Sequence, residues 1–145
     1  MVKLSIMSKV ADECSNLRVH VSDIARLLNE GDVVEVAERI HNEATIVRAS
    51  GNPLTKEEWV NIYTSPEFNM YMNRLLSINK IEVSDDCKMG YVCYTTHSHF
   101  NYKGKLHDEI SVYVAVFKKF DSDWMITYMQ KSEGRRPIKG LPVFK

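Results

Sequence analysis

Charge of neither sign predominates in this sequence: nineteen Lys and Arg balance nineteen Asp and Glu. That removes the overall positive field with which a protein usually gathers nucleic acid, so no nucleic-acid partner is expected. No apolar run approaches the ~20 residues that a membrane-spanning helix needs. Met1 to Met7 interrupts its apolar residues with Lys3 and Ser5, too short and too mixed for a signal core, so no membrane association is expected. Cysteine is scarce and odd in number. Cys14, Cys87 and Cys93 lack Cys-x-x-Cys spacing and read as reduced thiols rather than a disulfide framework or a zinc site. Asn-x-Ser/Thr acceptors are missing too, and these absences together make the cytoplasm the expected compartment. A glycine-rich nucleotide loop, His-Glu-x-x-His and a Ser-His-Asp order are also lacking, so no cofactor is expected. No internal repeat or linker divides the chain.

What is present suits one α+β domain. With 145 residues, 44% of them hydrophobic, the chain can bury a core without staples. Val10, Cys14, Leu17, Val21, Ile24 and Leu28 recur at spacings of four and three, one face of a long helix with Ser8 as its cap. Gly31 can end that helix in the left-handed conformation, and Asp32 with Glu35 opens a second one whose stripe is Val33, Val36, Ala37 and Ile40. Thr45 to Val47 reads as a short strand before the turn Ser50-Gly51-Asn52-Pro53, and Thr55 with Glu58 caps a third helix through Trp59, Ile62 and Tyr63. Residues 67–72 fit a further helical turn or coil. From there a period of two predicts strands over residues 75–83, 90–101, 106–119 and 124–131, joined by turns short enough for antiparallel neighbours.

This order of elements resembles the nuclear transport factor 2-like superfamily. Leu27-Leu28-Asn29-Glu30-Gly31-Asp32 is similar to the reversal between its first helices, and Ser50-Gly51-Asn52-Pro53 followed by Thr55 to Trp59 is similar to its glycine turn and third helix. The segment from Asp121 to Ser132 resembles the closing strand of the calcium/calmodulin-dependent kinase II association domain and of SnoaL-like proteins, with Trp124 and Ser132 in place and Gln130 where a His is common. The resemblance implies a cone in which N-terminal helices pack on a curved antiparallel sheet. It would span residues 1–136 as a single domain, followed by an extended basic tail at 137–145. It also implies either a small-molecule pocket, serving an isomerase, dehydratase or cyclase that needs no cofactor, or an association module that forms a homodimer or larger homo-oligomer.

Strand alternation sorts the candidate residues by face. Ile110, Val112, Val114 and Val116 form an apolar set opposite a mixed set of His107, Glu109, Ser111, Tyr113, Ala115 and Phe117. If Phe120 pairs with Trp124, the mixed sets of the last two strands share a face, and the resemblance puts Thr127, Met129 and Lys131 on the concave side. The same parity would bring His97 and His99 beside them. Glu109 is then the expected base, because an apolar cone raises a carboxylate's proton affinity. Tyr113 and His97 are the expected hydrogen-bond donors. Trp59, Tyr63, His99, Ser111, Thr127, Met129 and Lys131 are the expected ligand contacts, with Trp59 and Tyr63 equally readable as core packing. His97, His99, His107 and Glu109 could converge on a divalent ion, but they read more simply as a polar strip, and no metal is expected.

Overall fold

The structure, a computed structural model, describes residues 16–132. Its first helix, α1 (Leu17–Glu30), buries Leu17, Val21, Ile24, Ala25 and Leu27, the face that the apolar spacing marks out. Gly31 ends it at φ 78°, and its N–H donates back to Leu28 O. Asp32 then caps α2 (Val33–Ala37) by accepting from the Glu35 N–H at 3.2 Å. The expected helical stripe stops short of Ile40, which already belongs to β1 (Ile40–Val47). After the Gly51 turn the chain makes a short β2 (Pro53–Thr55), which the sequence pattern does not signal, and α3 (Lys56–Tyr63). Both halves of the capping box between Thr55 and Glu58 form, and they hold the Glu58 carboxyl below its ordinary range.

The rest of the described chain is a meander of long strands: β3 (Phe68–Val83), β4 (Met89–Tyr102), β5 (Lys105–Phe120) and β6 (Asp123–Lys131). The ambiguous residues before Asn73 therefore extend β3 back to Phe68. The described residues form one curved, open six-stranded sheet in the order β2-β1-β6-β5-β4-β3, with β1 parallel to β6 and every other pair antiparallel. α1 lies across its concave face, where Ile24 and Leu27 meet Val92, Phe117 and Ile126 in one core. Gly90 permits a close passage of β4, since a Cβ there would lie 2.7 Å from Glu82 O and 2.8 Å from Leu17 Cδ1. Asn73 ties the far end of α1 to the sheet: its Nδ2 donates to Ala25 O at 3.1 Å and its Oδ1 accepts from Ser98 Oγ at 2.8 Å. The expected Ser8 cap and the basic tail lie outside the described residues.

Cys87 corrects the reading of the cysteines as free thiols. It is disulfide-bonded, whereas Cys93 is free. The cysteines therefore no longer argue for a reducing compartment. Among the described residues no helix is long and apolar enough to cross a membrane.

His20 on α1 gives the fold a pH response. Its ring lies against Phe117 and its Nδ1 accepts from Arg39 Nη1 at 3.5 Å. Burial first, and then Arg39, lower its pKa below 6.5, while Asp23 and Asp123 pull the other way. A histidine harder to protonate when folded than when unfolded makes stability fall as pH drops below about 6.5, because the unfolded chain then binds the extra proton. Urea midpoints at pH 7.5 and 5.5 are expected to differ less in His20→Gln than in the wild type. An equal difference in both would show that His20 is not the group responsible.

Candidate functional site

Two turns decide which side chains meet. Between β4 and β5, Lys103 and Gly104 take φ of 53° and 78°, the paired left-handed conformation of a tight two-residue hairpin. Tyr102 therefore faces Lys105, and this register sets even positions of β4 against odd positions of β5: Phe100 opposite His107, Thr96 opposite Ser111, Tyr94 opposite Tyr113. His97 instead faces Ile110 and His99 faces Asp108, on the outer side of the sheet. There His97 Nε2 meets Asp108 Oδ1 at 2.6 Å and the His99 ring lies 5.4 Å from that of Tyr71. The expectation that His97 and His99 join the concave set is corrected by this one-residue difference in parity, and among the described residues no group of three or more His, Cys, Asp or Glu converges as a metal site.

Between β5 and β6 the turn is Asp121-Ser122, with Asp121 at φ 58°, so Phe120 faces Asp123 and Lys119 faces Trp124. The expected Phe120–Trp124 pairing is one residue out at the turn. A bulge at Thr127 then restores it: Phe117 faces Ile126, but Val116 faces Tyr128 and Tyr113 faces Lys131. The bulge keeps Trp124 and Ile126 in the core below and returns Met129 and Lys131 to the face of Tyr113 above. Thr127 itself is spent on the bulge, its hydroxyl donating to Val116 O at 3.4 Å, and it lies off the cavity wall.

The result is a cavity of ≈ 290 Å³ between α3, the Arg48–Ser50 turn and the upper halves of β5 and β6. Glu109, Tyr113, Lys131, Met129, Trp59 and Tyr63 all line it; His97, His99, Ser111 and Thr127 do not. One side is a run of rings, Trp59 on Tyr63 at 4.5 Å, Tyr63 by Phe68 at 4.6 Å, Phe68 on Phe100 at 5.4 Å and Phe100 on His107 at 4.6 Å. At the His107 end of that run Lys131 Nζ lies 5.6 Å from the Phe100 ring centre and donates to Glu109 Oε1 at 2.6 Å, and His107 Nδ1 lies 3.6 Å from Glu109 Oε2. Glu109 is thus an ion-paired carboxylate, not the isolated one that the sequence suggests. Burial raises the Tyr113 pKa, and the Glu109 charge raises it further, so its phenol stays neutral and able to donate. Burial likewise raises that of Tyr63.

Phe68 and Phe100 belong to the wall and escape a sequence reading that takes the β4 histidines as the inward set, whereas His107 lies beside Glu109 on the face to which the alternation of β5 assigns both. The signal that finds Phe100 is Lys103-Gly104, whose two-residue turn chemistry dictates that even residues of β4 share a face with odd residues of β5.

The profile of a family described as protein of unknown function, DUF3804, matches residues 30–140. No curated protein matches the chain. Several solved structures share its fold. A nuclear transport factor 2-like protein of unknown function from Prochlorococcus marinus aligns with a TM-score of 0.63 and 26% identity over 69% of this chain and 77% of that one. A candidate calcium/calmodulin-dependent kinase II association domain from Exiguobacterium sibiricum aligns at 0.72, with 16% identity over 85% and 93%. A candidate scytalone dehydratase from Novosphingobium aromaticivorans aligns at 0.67, with 13% identity over 98% and 100%. The fold is therefore the nuclear transport factor 2-like cone.

Proposed function

From the premise that the chain belongs to the DUF3804 family, proteins of unknown function here seen on a nuclear transport factor 2-like cone, we propose that it binds a small molecule in the cone and performs acid–base chemistry on it. The observation that carries this reading is the meeting of Glu109, Lys131 and Tyr113 on the wall of one aromatic-lined cavity. Apolar walls with a few convergent polar groups are what a small-molecule site requires. In this reading Glu109 takes a proton from a carbon beside a carbonyl group. The electron pair moves onto the carbonyl oxygen, to which the neutral Tyr113 phenol donates a hydrogen bond. Returning the proton at another carbon completes an isomerisation, and expelling a neighbouring hydroxyl as water completes a dehydration. Lys131 holds the carboxylate in place. The scytalone dehydratase candidate among the structural neighbours is compatible with such chemistry. A thermal-shift screen of small ketones and keto acids tests the reading: some are expected to raise the melting temperature of the wild type and to lose that effect in Lys131→Met. Failure of every compound to shift the wild type would remove the pocket function.

A second reading, a homo-oligomeric association module, is favoured by the outer face of β5. There Val114 is 36% exposed between Val112 and Val116, an apolar stripe that no described element covers. The association-domain candidate is the corresponding neighbour. Sedimentation decides this: Val114→Asp is expected to dissolve an oligomer if the stripe is its seam, and a wild type sedimenting as a monomer would exclude the module.

A further inference from the structure

Behind Trp59, Tyr63, Tyr113 and Met129 lies a second, smaller chamber of ≈ 30 Å³, the size of a single compact polar group. It is bounded by Ile24, Val36, Ile40 and Ile126 from the core and by Asn73, Tyr94 and Thr96 from the sheet. None of its lining residues is charged, in contrast to the outer cavity with Arg48, His107, Glu109 and Lys131. Thr96 is 2% exposed, and its hydroxyl has no hydrogen-bond partner among the described residues. Buried hydroxyls are normally paired, so an unpaired one on a cavity wall is a group held ready for an incoming partner. Ser111, directly across the β4–β5 ladder, has an equally buried and unpartnered hydroxyl but lies off the chamber wall. The Asn73 carboxamide on the same wall is already engaged by Ala25 and Ser98.

We infer that the inner chamber is a specificity subsite in which the Thr96 hydroxyl binds a neutral oxygen, hydroxyl or carbonyl, at the leading end of a one- or two-ring ligand. A charged group is disfavoured, because no opposite charge on the wall would compensate its loss of hydration. The volume of the outer cavity limits the body of the ligand to a small ring system, stacked along the Trp59–Tyr63 side, with any anionic group left at the Lys131 end. This inference rests on the pocket reading above and narrows its substrate to oxygenated aromatic or alicyclic compounds.

The test uses cinnamate and 4-hydroxycinnamate as matched probes, titrated by calorimetry into the wild type, Thr96→Val and Ser111→Ala. In the wild type the hydroxylated probe is expected to bind about five- to tenfold more tightly, the effect of one hydrogen bond. Thr96→Val should abolish that advantage while leaving cinnamate affinity within about twofold, whereas Ser111→Ala should preserve it. The melting temperature of probe-free Thr96→Val should be unchanged or higher, since an unpaired buried hydroxyl is removed at constant shape. A merely structural Thr96 would instead lose stability on replacement and leave the discrimination intact. Equal binding of the two probes to the wild type, or an advantage that survives in Thr96→Val, overturns the subsite and leaves the pocket standing. Absence of binding by either probe to the wild type overturns the subsite for this ligand class, and the ketone screen then decides separately whether the pocket reading falls with it.

Discussion

Phe117→Ala is expected to cost the domain about 3–5 kcal/mol, a large part of the roughly 5–15 kcal/mol that holds such a domain together. Phe117 is 0% exposed, faces Ile126 on β6 and Gly90 on β4, and lies against His20 of α1, so its ring joins three layers of contact at once. At this chain length about 3 °C of melting temperature goes with each kcal/mol, which makes the expected fall roughly 10 °C or more. The control is in the same strand. Phe120 is 37% exposed, and Phe120→Ala, which gives up little beyond its stacking on His41, is expected to cost less than about 1 kcal/mol. Urea melts of the two variants measure the difference, and similar losses would mean that β5 does not present its odd positions to the core.

How far the sequence reveals this arrangement depends on which interaction fixes each part. Helix ends and strand identities are local: Gly31, the Asp32 cap and the Thr55–Glu58 box act within a few residues, and the alternation from Ile110 to Phe117 sorts β5 correctly without reference to any neighbour. Shared faces are not local. They depend on the sum of positions across a turn, and an error of one residue transfers a whole strand to the opposite side. That is why His97 and His99 lie outside while Thr96 and Phe100 lie inside. On β6 two departures offset each other, a shorter turn at Asp121-Ser122 and the bulge at Thr127, so Met129 and Lys131 arrive where the resemblance puts them although the pairing at the turn differs. Bulges carry no strong sequence signal, because what fixes Thr127 is the packing of Ile126 below it and of Met129 above. The start of β3 is hidden for a related reason: Phe68 and Met70 are ordered by their register with Tyr102 and Phe100, which lie far along the chain.

Lys131→Met is expected to destabilise the protein by about 1–3 kcal/mol, and adding Glu109→Gln is expected to restore most of that loss. Breaking a buried pair strands a charge without its partner, typically at a cost of about 3–5 kcal/mol, whereas replacing both members by neutral groups of similar size is often nearly neutral. Here each side chain is 20% exposed, so water relieves part of the stranded charge and the lower range applies. Turnover should follow a different order. With a ketone that shifts the melting temperature as substrate, Glu109→Gln alone should lower kcat about 10²–10⁴-fold, the usual loss when a positioned base is removed, and the double variant should remain as inactive as this single one. Chemical denaturation and single-turnover kinetics on the four members of the cycle separate the two quantities. A carboxylate present only to neutralise Lys131 would let stability and turnover recover together in the double variant. Recovery of the fold without recovery of the reaction is what a proton-transferring Glu109 requires. The double variant leaves no charge behind and Glu109→Gln still fills the space beside Tyr113, but neither new side chain can accept a proton from carbon.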